Sequence, residues 1–358
     1  MSTTQLALRI LVVASLIPGC ATSPGGDDDG SGDDDGPIAF TNGTSTLAGM
    51  AEVGYVDGAR RVAKFSNPVN VIYRDGTLYV ADFDNGKLRA IDVKSHVTRT
   101  VVNQPGFARP FGLAFAGDGT LYVSTDNDQA GNHNLMSGTI WRVDTSSGKA
   151  VVVANAIGRP RGLTVLSDGR IAAADYLHHV IELIDPNGGR VTTLAGSFDV
   201  KGMVDGTGVV ARFSSPYALV MRNDGKLLVT DFDNNRLRAV GLDGSTVTVA
   251  GAAEAGFVDG TMTTARFSHP QGMSMASNGD VYLTDLGNFR VRRVSGDKVD
   301  TIAGNGKGGW VDNDDPLASQ LYGLEGLSVV PDGSMVYVAD GNRGEAVPFN
   351  RVRQVKPH

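Results

Sequence analysis

Disulfides, long apolar runs and net charge are all scarce in this 358-residue chain. It has one cysteine, Cys20, so no disulfide framework is possible. No phosphate-binding glycine loop occurs. The longest N-terminal apolar run covers only residues 10–17 (ILVVASLI), well short of the roughly 20 residues needed to span a bilayer. Uninterrupted helix-forming stretches are also rare. Gly contributes 47 residues and Pro 14, about one residue in six, which excludes a helical bundle. The net charge of −7 is concentrated at one end. Residues 1–36 hold one of the 32 basic residues and six of the 39 acidic ones, leaving 31 against 33 in the remainder. A nucleic-acid binder is expected to show a basic domain or stripe. None is present, so no nucleic-acid partner is expected.

The N-terminus reads as an address. Residues 1–9 carry one positive charge, the apolar run follows, and Pro18-Gly19-Cys20 ends it, the arrangement of a signal peptide over residues 1–19. Ile17-Pro18-Gly19-Cys20 resembles a bacterial lipobox. That resemblance implies acylation of Cys20, membrane attachment through an N-terminal lipid anchor, and a cell-envelope location. Ala21 favours the outer membrane. The alternative is plain secretion with cleavage after Ala21. Residues 20–37 then form an acylated cysteine followed by a tether (TSPGGDDDGSGDDDGP) whose like charges repel and which has nothing apolar to bury.

From residue 38 to 358 the chain repeats itself. One unit runs Phe65-Ser66-Asn67-Pro68, a short apolar run, Asp75-Gly76, an apolar run ending at Asp82, then Asn85 and Leu88-Arg89. It returns at Phe213 and Phe267, and weaker copies open at Pro110, Pro160 and Leu324. Their second apolar runs are read as ending at Asp126, Asp175 and Asp340. Each unit holds four short runs rich in β-branched and aromatic residues, with Asp-Gly as a hairpin signal. Six units of four antiparallel strands predict an all-β, six-bladed β-propeller. The last unit stops after three strands, while Ser45-Thr46-Leu47-Ala48-Gly49 matches the fourth-strand ends Thr192–Gly196 and Asp300–Gly304 in type. The N-terminal strand is therefore expected to complete the last blade.

Gly-Tyr-Val-Asp-Gly (54–58), Gly-Met-Val-Asp-Gly (202–206) and Gly-Phe-Val-Asp-Gly (256–260) each precede an Ala-Lys/Arg-Phe-Ser-x-Pro segment. With the Asp…Asn…Leu/Val-Arg segments, they resemble the NHL-repeat propellers. The resemblance implies the fold. It leaves function open among sensor ectodomains, protein and RNA binders, and an amidating lyase.

Asp82, Asp231 and Asp285 each precede an arginine by seven residues, and a role repeated in several blades belongs to blade construction. Asn85 and its counterparts are expected to supply left-handed turn geometry. Function is expected where the repeats differ. The residue after each opening position is Val69, Phe111, Arg161, Tyr217, Gln271 or Glu325, a mixed ring at the channel mouth. The next position is Asn70 or a Gly or Ala, as suits converging backbones. The ligand-binding candidates are Asn70, Phe111, Arg161, Tyr217, His269, Gln271 and Glu325. Arg161 can clamp a carboxylate or phosphate, Glu325 can accept a hydrogen bond, and His269 is the histidine nearest the mouth.

In blades two and three, Trp141 and Glu182 replace the repeat arginine. The blade-two loop offers Asp126, Asp128 and Asn132 as a calcium-like constellation, although it lacks a closing bidentate Glu. This loop and residues 341–350 are expected to rim the same mouth. His178-His179 reads as an exposed turn. No catalytic residue and no cofactor is assigned, with Ca or Zn as the possible metals. The sequence favours a monomeric, envelope-anchored module that binds a small molecule or a protein. The alternative is a secreted metal-dependent hydrolase or lyase of the lactonase or amidating-lyase type, which would need acids or histidines converging on a metal. The ring supplies one Glu and no His.

Overall fold

The computed structural model describes residues 43–134 and 136–357. The leader, Cys20 and the acidic tether lie outside the described residues. Each Asp-Gly signal becomes a reverse turn. Asp75 and Gly76 both take positive φ (48° and 81°) and join Pro68–Arg74 to Thr77–Asp82 as a two-residue hairpin. Lys87–Asp92 and Thr98–Val102 complete blade one. The other first strands are Pro110–Phe115, Pro160–Val165, Pro216–Met221, Pro270–Met275 and Leu324–Val329. Each packs on the first strands of its two neighbours, so the six close a ring about a channel. Apolar clusters fill the wedges between blades. Ala174, Ile181 and Leu183 of blade three, for example, meet Phe213, Leu219 and Val229 of blade four.

Blade six is assembled from both ends of the described chain. Gly43–Met50 pairs antiparallel with Asn350–Lys356, outside Val336–Asp340 and Leu324–Val329. Leu47 and Ala48 on this closing strand are fully buried. The joint removes the open edge that would otherwise flank the gap.

The repeat arginine pins the long connection between blades back onto its own blade. Arg89 is fully buried and pairs with Asp82 at the end of its second strand and with Asp57 of the preceding loop. Its guanidinium also donates to the Val56 and Lys64 carbonyls. The same bridge occurs as Asp231–Arg238–Asp205 and Asp285–Arg292–Asp259, with N···O distances of 2.7–2.8 Å. The loop carboxylate then accepts from Thr100, Thr248 or Thr301 on the outer strand. Next to it, Gly206–Thr207 and Gly260–Thr261 add a two-residue fifth strand to blades four and five.

A fourth bridge, Asp340–Arg353–Asp312, escaped the sequence reading because the loop at 341–350 stretches the interval from seven residues to thirteen. Its outer carboxylate, Asp312, accepts from the Thr46 N–H on the closing strand.

Blades two and three replace the bridge in different ways. In blade two, Pro110 pairs with Thr125, so Thr125 holds the strand-end place and Asp126 lies one residue beyond it, contrary to the sequence assignment. The Trp141 indole donates to the Thr125 hydroxyl (2.9 Å), a neutral substitute for the ion pair. In blade three His178 is buried, bonded to Asp175 and stacked on Phe198, so it is not an exposed turn. It stands where Asn85 stands in blade one. Asn85 itself bonds Asp82 and the Gly54 carbonyl, and the left-handed residue comes one position later, at Gly86, Asn235 and Phe289.

The closing strand generates a first prediction. Leu47→Ala should cost about 2–5 kcal/mol in urea unfolding, whereas Val53→Ala, 59% exposed three residues past the strand, should stay within about 0.5 kcal/mol. Equal effects would show that the strand does not hold the ring shut.

Candidate functional site

The site begins as a backbone irregularity. In all six blades the register between first and second strands slips just after the opening residue. A bulge of this kind re-aims a side chain. The freed amides are taken up by hydroxyls: Gly112 N–H donates to Ser124 Oγ, Ala218 N–H to Thr230 Oγ1 and Gly272 N–H to Thr284 Oγ1 (2.7–2.8 Å). Ser124 and Thr230 in turn donate to the Pro160 and Gln271 carbonyls of the next blade. The small position is needed for contact around the channel, since a Cβ on Gly272 would lie 2.6 Å from the Gly326 Cα.

Val69, Phe111, Arg161, Tyr217, Gln271 and Glu325 accordingly meet around one cavity of about 290 Å³ at the mouth. A second ring joins them, one residue past the strand-end position: Phe83, Tyr176 and Phe232 line the same cavity. Asp126, displaced by Thr125 into that ring position, is fully buried and accepts from Arg161 (3.1 Å) and Arg159 (2.9 Å). The sequence reading missed this ring. Its signal is the aromatic residue directly after Asp82, Asp175 and Asp231.

Phe111, Arg161, Tyr217 and Glu325 also line the channel space beneath, about 260 Å³, and so form the partition between the two. The Tyr217 hydroxyl donates to Glu325 Oε2 (3.3 Å), joining blade four to blade six. The Arg161 guanidinium carbon lies over Phe111, 3.9 Å from the ring centroid.

These groups hold unusual protonation equilibria. Burial pushes the Glu325 carboxyl up to about 7, against the pull of Arg161, Arg343 and the Tyr217 hydrogen bond. Burial and the nearby Glu325 carboxylate push Tyr217 well above its ordinary value. For Arg161, burial works against the charge, but Asp126, Tyr217 and Glu325 outweigh it and leave the pKa raised.

Other candidates sit elsewhere. Asn70 lies in the lower channel, its Oδ1 accepting from the Val71 N–H. His269 packs on Phe232 with its ring tilted by 50° and centroids 4.7 Å apart, and is not among the residues lining the mouth cavity. Asp128 is turned into its own loop, accepting from the Ala130 and Asn132 amides and from Asn132 Nδ2, whereas Asp126 is held by the two arginines. Among the described residues, no group of three or more His, Cys, Asp or Glu side chains is placed to hold a metal. From the blade-six loop, Arg343 and Gly344 reach the mouth.

The NHL repeat family model matches residues 267–294, in blade five. The chain is similar to the protein SUPPRESSOR OF QUENCHING 1, chloroplastic, of Arabidopsis thaliana, with 26% identity over 284 residues, 69% of this chain and 27% of that protein. It is also similar to NHL repeat-containing protein 2 of Gallus gallus, 26% identical over 295 residues, 67% of this chain and 40% of that one. The chain thus spans between a quarter and two fifths of the length of these relatives. An auxiliary nutrient binding protein from Bacteroides thetaiotaomicron shares the fold at a TM-score of 0.68, with 15% identity, over 87% of this chain and 75% of that chain.

The raised pKa of Glu325 gives a signed prediction. The native state keeps this proton between pH about 4.5 and 7 while the unfolded state has lost it, so ionising the buried carboxyl costs stability as pH rises through that window. Glu325→Gln removes the cost. Relative to wild type, the variant should be more stable at pH 7.5 than at pH 5 in urea unfolding. The same difference at both pH values would contradict the assignment.

Proposed function

We propose that this NHL-repeat propeller is a binding module that takes a small molecule or a protein segment at its channel mouth, and that a lipid on Cys20 carries it at the cell envelope. The observation that supports this most is the placement of blade-to-blade variation. The Asp–Arg–Asp bridges recur in four blades, whereas the inner ring has a different residue in every blade. It combines aliphatic, aromatic, cationic, amide and acidic groups around one cavity. Ligand sites are built this way, from an apolar wall with a few directed polar groups. Resemblance in fold to a protein described as nutrient-binding agrees with the reading. The envelope location rests on the leader, the Gly19-Cys20 junction and the charged spacer that would hold the domain clear of a membrane.

The test is thermal unfolding across a panel of small solutes varied in charge and ring content, on wild type and on Gln271→Trp, whose added ring occupies the mouth. Solutes that bind should stabilise wild type only, by about 2.7 kcal/mol at a hundredfold excess over Kd. Equal shifts in both proteins, or no shift in wild type, would contradict a mouth site. For the anchor, full-length protein should fractionate with membranes and Cys20→Ser should become soluble. Unchanged fractionation would contradict lipidation.

A further inference from the structure

Five aromatic side chains form a continuous wall on one side of the mouth. Phe83 meets Phe111 (5.9 Å between centroids), Phe111 meets Tyr217 (5.7 Å), and Tyr176 meets both Tyr217 (5.7 Å) and Phe232 (6.2 Å). Aromatic faces arranged like this attract cations. Here that place is already taken. The Arg161 guanidinium lies 3.9 Å from the Phe111 centroid and 5.9 Å from that of Tyr176, and its charge is met by Asp126. Arg159 shares the same carboxylate. An incoming cation would find the Phe111 face occupied and two guanidinium groups beside the wall, whereas Phe232 carries no cation among the described residues.

The opposite side of the mouth is polar and incompletely bonded. Gln271 is only 5% exposed, yet its Oε1 is buried without a hydrogen-bond partner. Its amide can turn either end toward a bound group. Arg343, exposed on the blade-six loop, lines the same cavity and has no carboxylate in ion-pair contact among the described residues. Glu325, whose pKa burial raises to about 7, can donate an O–H in its protonated form.

Building on the binding-module reading, we propose that the mouth accepts a small aromatic carboxylic acid, its ring against Tyr176 and Phe232 and its carboxylate on the Arg343 guanidinium and the Gln271 amide. A guanidinium presents paired N–H donors that match a carboxylate, and the unpartnered amide gains the hydrogen bond it lacks.

The probes are phenylacetate, phenylacetamide, acetate and benzyltrimethylammonium, titrated calorimetrically into wild type and Arg343→Gln. Phenylacetate should bind one to one. Phenylacetamide and acetate should bind at least about tenfold more weakly, and benzyltrimethylammonium not at all. Arg343→Gln should weaken phenylacetate by about tenfold or more and leave phenylacetamide unchanged. Equal binding of the amide, preference for the ammonium probe, no effect of Arg343→Gln, or no binding of phenylacetate would each overturn the assignment. If phenylacetate is inert while other solutes stabilise wild type but not Gln271→Trp, the aromatic-acid assignment fails and the mouth site stands.

Discussion

A buried guanidinium held between two carboxylates is the interaction on which the rest of this propeller depends. Removing an arginine and an aspartate from water costs several kcal/mol per ion, and only complete hydrogen bonding with close geometry offsets it. Arg89 and Arg292 bond through all three guanidinium nitrogens, and Arg238 and Arg353 through the two terminal ones with Nε left unpartnered. Each joins the end of a second strand, a loop carboxylate, and carbonyls of the chain leading into the blade. The balance is narrow. Burial pushes Asp82 and Asp285 up to about 6 even beside their arginines. What the bridge supplies is position. It fixes the long connections of blades one, four, five and six, and in blade six it reaches the closing strand through Asp312 and Thr46.

The two blades without the bridge supply the buried ion pairs on the aromatic side of the mouth. With Thr125 and Trp141 in place of an ion pair, blade two no longer needs a carboxylate at its strand end. The acid moves one residue on, to the fully buried Asp126, which holds the mouth residues Arg159 and Arg161. Blade three puts Glu182 where the arginine would stand, near Asp175. Burial first, and then the Asp175 charge, push its carboxyl up to about 8. In blade two the departure from the repeat therefore connects to the site: where the structural bridge lapses, the carboxylate is free to hold two arginines of the mouth.

Much of this was legible in the residues. Asp-Gly hairpins, the Pro-led first strands and the match of residues 45–49 to fourth-strand ends fixed the blade count and the closure, because turns and edges are local constraints. The inner ring followed from the same register. Reading failed where insertion or one-residue slippage hid a three-dimensional equivalence. Arg353 is the structural twin of Arg89 despite its different spacing from Asp340. Asp126 resembles a strand-end aspartate in sequence, yet lies in the ring of Phe83, Tyr176 and Phe232. His178 looked exposed because histidines in turns usually are, but Asp175 beneath it needed a donor. The aromatic wall was invisible as a wall, since its members come from four blades.

The most direct test of the bridge is urea unfolding of Arg238→Met and of the double variant Arg238→Met/Asp231→Asn. The single change leaves Asp231 buried without its cation and should cost about 3–5 kcal/mol. Neutralising Asp231 as well should recover part of that loss. A single variant within about 1 kcal/mol of wild type, or a double variant less stable than the single, would contradict the account.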